Sequence, residues 1–143
     1  MATTSTYLLS ILECKSKIAY YTTQQMHWAN LYESNAAKLN KHAKYEEEWN
    51  KAYDKVFDAE EGKEITYNGN LYENNCEATA ESYANLLVEE YDEEMLLELQ
   101  DYELEYESQK IACEALLEIY QAELEHLETG LSNAASDTGI TGS

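Results

Sequence analysis

Glu123 and His126 stand three residues apart. On a helix that spacing offers a carboxylate and an imidazole to one metal ion. A di-metal centre in a four-helix protein takes two such pairs and two further helical carboxylates. The other histidines, His27 and His42, follow Gln24 and Leu39 at the same offset, so no second pair exists. In a Glu-rich helix one match is expected by chance, and no metal is expected. The stretch Glu64–Asn75 puts Gly69 at the centre of a calcium-type loop. It has neither the opening Asp nor the closing bidentate Glu, so calcium is not expected either. Phosphate-cradling glycine loops, a zinc-protease helix and a nucleophile elbow are all absent from the sequence. Cys14, Cys76 and Cys113 are odd in number and lack zinc spacing, and read as reduced thiols filling small helix positions. No catalytic residue and no cofactor follow from these patterns.

The bulk composition points to helices and to protein partners. The chain of 143 residues holds 29 acids, 9 Lys and no Arg, for a net charge of −20. Such a charge opposes contact with nucleic-acid phosphates or an anionic membrane. There is no Pro, so nothing removes a backbone donor inside a long helix. No apolar run reaches membrane-spanning length, and the first residues carry no cationic, apolar signal sequence. A cytoplasmic protein, or one exported without a cleaved signal peptide, is expected.

Periodicity supplies the elements. A single all-α domain is expected over 1–143, with a first helix over about 6–57, an apex at 58–74, a second helix over about 75–130 and a flexible tail at 131–143. In the first helix the stripe runs Leu8, Ile11, Lys15, Ile18, Thr22, Gln25, Ala29, Tyr32, Ala36, Leu39, Ala43, Glu46, Asn50, Tyr53, Phe57. Steps of three and four alternate throughout, a heptad period. Leu12, Ala19 and Met26 widen its first half. In the second, Ala84, Val88, Tyr91, Met95, Leu99, Tyr102, Tyr106, Gln109, Cys113, Leu116, Tyr120, Leu124, Leu127 and Leu131 step at a mean near 3.6, the period of a straight helix. Asn74 with Glu77 suggests a capping box, and Gly130 a C-terminal stop.

Between them, Asn68-Gly69 is flanked by β-formers. Two residues that tolerate positive φ predict a type I′ turn pairing Tyr67 with Asn70, Thr66 with Leu71 and Ile65 with Tyr72. A small β-hairpin at the apex is expected, an irregular loop being the alternative. Matched helices with a short connection predict an antiparallel, coiled-coil-like two-helix hairpin.

Charge is uneven: residues 1–63 hold 8 Lys and 9 acids, and residues 64–143 hold 1 Lys and 20 acids. Folding at the apex sets Lys38, Lys41 and Lys44 beside the acids of 89–94, Lys51 and Lys55 beside Glu81 and Glu77, and Lys15 and Lys17 beside Glu114 and Glu118. Glu98, Asp101, Glu103, Glu105 and Glu107 then face Gln25–Ser34, which has no Lys. Met26, Trp28, Leu31 and Tyr32, with Leu99, Tyr102 and Tyr106, are therefore the candidate interaction residues; a solvated acidic face beside core aromatics is the alternative. Surplus apolar residues such as Leu86, Leu97, Leu104 and Ile119 favour completion by oligomerisation. A break near Asn30–Asn40 giving a compact monomer is the other outcome.

The expected function is that of a non-enzymatic assembly protein, forming a bundle or filament as a homo-oligomer. The alternative is an acidic adaptor or chaperone-like module that captures a basic or amphipathic partner. Long terminal helices around a short apex are similar in outline to subunits of bacterial secretion-system filaments.

Overall fold

The computed structural model describes residues 3–59 and 65–137. Residues 60–64 of the expected apex and 138–143 of the expected tail lie outside them. The element order is α1 (Thr4–Phe57), β1 (Ile65–Tyr67), β2 (Asn70–Tyr72), α2 (Glu77–Leu87) and α3 (Glu93–Asp137). The structure is thus mostly helical, with three helices and a small antiparallel sheet rather than two helices. It divides into two compact units, Met1–Glu33 with Leu104–Ser143, and Ser34–Glu103.

Thr3 caps α1, its Oγ1 accepting the Thr6 N–H at 3.2 Å. The helix then runs to Phe57 without the break considered near Asn30–Asn40. Its covered positions include Ile11, Cys14, Ile18, Tyr21, Gln25, Trp28, Tyr32, Asn35, Leu39, His42, Glu46, Trp49, Tyr53 and Val56. The heptad period is as expected, but four of the expected positions give way to the residue before them, while Ala29, Ala36 and Phe57 are half-buried as expected. Cys14, Tyr21, His42 and Trp49 are covered, while Lys15, Thr22, Ala43 and Asn50 are exposed. Rings carry the larger apolar area, so burying Tyr21 and Trp49 outweighs burying Thr22 and Asn50.

The covered face of α3 also departs from expectation. It runs Leu99, Glu103, Tyr106, Lys110, Cys113, Leu117, Tyr120, Leu124, Leu127, Leu131, again alternating four and three. Tyr102 and Gln109, placed on the stripe by periodicity, are exposed. Glu103 and Lys110 are half-buried, as their apolar methylene stems allow, and Lys110 Nζ lies over the Tyr32 ring. Their charge hid the seven-residue period.

In the unit Ser34–Glu103, the core joins Ala52 and Val56 of α1, Tyr72 of β2, and Ala80, Tyr83 and Ala84 of α2. Ala80 and Ala84, one turn apart, are fully buried and let α2 approach closely. The Tyr72 and Tyr83 rings meet edge to face at 5.2 Å, and this anchors the β-hairpin. A two-stranded hairpin alone is marginally stable in water. Its register is the expected one, Ile65 with Tyr72, Thr66 with Leu71 and Tyr67 with Asn70. Asn68 and Gly69 have φ of 50° and 77°, as a type I′ turn requires. Trp49, Tyr53 and Phe57 form a ladder of stacked rings with centroids 5.5 Å apart. Trp49 Nε1 donates to Asn85 Oδ1 at 2.8 Å.

Three helix boundaries correct the sequence expectation. Cys76, not Asn74, occupies the N-cap position of α2, and Asn74 Nδ2 instead donates to the Ala59 carbonyl at 3.0 Å. The expected second helix is interrupted between Leu87 and Glu93. Asp92 Oδ1 accepts the N–H groups of Glu94 at 3.0 Å and Met95 at 3.3 Å, capping α3. Glu93 and Glu94 then lie in a first turn, where the helix dipole favours them. Mid-helix the same acid run would only repel itself. Finally, α3 continues past Gly130 to Asp137.

Gly130 is a close-approach residue rather than a stop. A Cβ built there would lie 2.5 Å from Tyr7 Cε1. Ala in place of Gly inside a helix gains up to ~1 kcal/mol in propensity. The Gly130→Ala change is expected to yield that gain in a Tyr7→Ala background and less beside the native ring. Urea unfolding of the four chains checks this; equal effects in both backgrounds would mean the ring contact is immaterial.

Candidate interaction surface

The candidate interaction residues divide between the two units. In the unit containing the chain's beginning, the Trp28 and Tyr106 rings meet with centroids 6.0 Å apart, both half-buried. Tyr32 is half-buried beneath Lys110, whose Nζ lies 5.7 Å from the ring centroid. Leu31 is half-buried, and Met26 is 62% exposed. In the unit Ser34–Glu103, Leu99 belongs to the interior, its carbonyl accepting a 2.8 Å hydrogen bond from Asn35 Nδ2. Tyr102 is exposed and its hydroxyl donates to Glu98 Oε1 at 3.1 Å. The structure therefore brings Trp28 and Tyr106 together, leaves Met26 and Tyr102 at the surface, and makes Leu99 core.

A second apolar stripe lies outside the covered seam. On α1 it comprises Leu12 (65% exposed), Ala19 and Met26; on α3 it includes Leu104 (66%) and Ile111 (55%). Successive members are seven residues apart. Each follows a seam residue (Ile11, Ile18, Gln25, Glu103, Lys110) by one position, about 100° round the helix. Leu8, Leu9, Tyr20 and Ile119 add exposed apolar area. Spacing alone admitted Leu12 and Met26 to the seam; the one-residue phase shift puts them outside it.

Among the described residues, the expected Lys–acid pairs across the helices are not within ion-pair distance. Among the described residues, the ion pair within bonding distance is Lys51–Glu47 at 3.2 Å, one turn apart on α1 and solvent-exposed. Lys17 and Lys55 instead lie over the Tyr120 and Tyr83 rings, at 5.1 Å and 6.0 Å. Such contacts contribute ~0.5–1 kcal/mol at exposed sites. Glu98, Asp101, Glu105 and Glu107 are exposed, and Glu103 is half-buried. Gln25 Nε2 donates to Glu114 Oε1 at 3.2 Å.

The three thiols differ sharply. Cys14 is buried, and its Sγ donates to the Tyr120 carbonyl at 3.0 Å. Burial, reinforced by Glu123, pushes its pKa up. Cys113 is also buried. Cys76 is half-buried at the start of α2, and the Thr79 backbone N–H, with the Thr79 hydroxyl, pulls its pKa down. Sequence gave no sign of this, because the expected cap was Asn74. Iodoacetamide is expected to alkylate Cys76 first at neutral pH, well ahead of Cys14 and Cys113. Peptide mapping by mass spectrometry against time reads the order, and equal rates at the three thiols would contradict the assignment.

Glu123 and His126 are both exposed. No helix among the described residues is long and apolar enough to cross a membrane. No protein-family model, curated protein or solved structure matches the chain.

Proposed function

We propose that this chain is a non-enzymatic structural protein that associates with copies of itself through its long helices. The observation carrying this reading is the exposed stripe Leu12, Ala19, Met26 with Leu104 and Ile111. Repeated apolar residues on a helix's outer face favour a partner helix with the same repeat. In the first unit, Tyr7 meets Gly130, Cys14 meets Tyr120, and Trp28 meets Tyr106. Numbers rise on α1 as they fall on α3. That order and the seven-residue period on both helices support an antiparallel, coiled-coil-like hairpin, which a second copy would complete into a bundle or filament.

The net charge of −20 opposes such association and is screened by salt. Sedimentation velocity should therefore show oligomers that grow more populated as salt rises from about 0.05 to 0.5 M. A monomer at every concentration and salt level would overturn the reading. A second reading draws on the exposed acids Glu98, Asp101, Glu105 and Glu107: capture of a basic or amphipathic protein. Its salt response has the opposite sign, since attraction between unlike charges weakens with screening.

A further inference from the structure

Asn68 sits at the tip of the β1–β2 hairpin, and it is the sole Asn of the chain that precedes a Gly. In such a pair the backbone nitrogen of the Gly can attack the side-chain amide carbon of the Asn, and the missing Cβ leaves the approach unhindered. Three observations make the pair available here. Both residues are exposed, and a Cβ built on Gly69 meets nothing within 4 Å. The strand ladder closes at the Tyr67–Asn70 pair, so the Gly69 N–H lies in the loop outside it. Among the described residues, no hydrogen bond holds the Asn68 carboxamide. Helical asparagines such as Asn35 and Asn50 differ: the next N–H is tied into the helix, and the next residue carries a Cβ.

The closed turn is the barrier. In a type I′ turn ψ at the first central residue is ~30°, which points the following nitrogen away from Cβ. Ring closure needs the Gly69 nitrogen on the same side as Cβ, so Asn68 must rotate and the tip must open. The tip is held by two three-residue strands and by the Tyr67 and Tyr72 rings, edge to face on Tyr83 at 5.9 Å and 5.2 Å. Tyr72 is buried while Tyr67 is 37% exposed. Opening at Tyr67, with Tyr72 still docked, is therefore a local event.

We propose that Asn68 is a self-modification site whose rate is set by opening of the hairpin tip. The Gly69 nitrogen bonds to Asn68 Cγ, the Cγ–Nδ2 bond breaks, and Nδ2 leaves as ammonia with the Gly69 amide proton. One water then opens the resulting succinimide. Attack at Cγ leaves Asp; attack at the backbone carbonyl carbon leaves isoaspartate. The two products diverge. Asp-Gly suits a type I′ turn as Asn-Gly does, so the Asp form keeps the hairpin. Isoaspartate adds a methylene to the main chain inside the two-residue loop, so Tyr67 and Asn70 no longer pair and Tyr67 leaves Tyr83. This site is independent of the association reading.

The test is incubation of the full chain in mildly alkaline buffer, native and unfolded in urea. Mass spectrometry after cleavage at Glu follows the peptide Ile65–Glu73, and an isoaspartyl methyltransferase labels the isoaspartate. Asn68 is expected to convert in the native chain ahead of every other Asn, and more slowly than in urea. The Tyr67→Thr change keeps a β-former and removes a ring from Tyr83. It should raise the native rate, relative to the same chain in urea, by about two- to tenfold, the contribution of one aromatic pair to closure. Amide exchange should find residues 65–72 protected in the Asn68→Asp chain and unprotected in the isoaspartyl form. No conversion of Asn68 in the native chain, a native rate equal to that in urea, indifference to Tyr67→Thr, or equal protection of the two products would each overturn the proposal.

Discussion

Replacing Val56 with Asp is expected to unfold the core of the unit Ser34–Glu103. Val56 is 0% exposed and packs among Ala52, Tyr72, Ala80, Tyr83 and Ala84. No Lys or His belongs to that cluster to pair with a carboxylate. An unpaired buried charge costs ~3–5 kcal/mol, a large fraction of the ~5–15 kcal/mol that holds a domain folded. Val56→Ala should cost about 2 kcal/mol, from lost methyl groups and the residual cavity. Thermal unfolding followed by circular dichroism gives the order native, Val56→Ala, Val56→Asp. Amide exchange should locate the lost protection at the ends of α1 and α2. An Asp chain as stable as the native one would mean that the hairpin and α2 do not pack on α1.

The second large effect concerns association. Changing Leu104 and Ile111 together to Gln removes two exposed apolar side chains, 66% and 55% accessible, while keeping good helix formers. If a second copy covers both, the loss is ~4 kcal/mol, about a thousandfold in dissociation constant. The oligomers expected in sedimentation should then give way to monomer at unchanged helical content. Retention of the native assembly would place the contact elsewhere; loss of helicity would mean that these residues support the monomer fold.

What could be read before folding was local. Asn68-Gly69 between β-formers specifies its turn within four residues, because positive φ at two consecutive positions suits few residue types. The absence of Pro and the heptad spacing likewise specify a long α1. The cap of α3 was legible too, in Asp92 followed by Glu93 and Glu94, but Val88, Tyr91 and Met95 continue a plausible helical stripe across the break. Periodicity alone gives no weight to the repulsion within that acid run.

The chemistry-bearing spacings that opened the sequence reading, Glu123 with His126 above all, ended as exposed side chains on a helix. By itself the sequence determined the long α1, the Asn68-Gly69 turn and the charge, since each depends on neighbours along the chain. Tertiary structure decided which face of each helix is covered. Tyr, Trp, Lys and Glu are each part apolar and part polar, so their letters do not say which part a neighbour will cover. That is why Trp28 and Tyr106 meet inside one unit, why Leu104 and Ile111 lie outside the seam, and why Gly130 sits beneath Tyr7 in mid-helix.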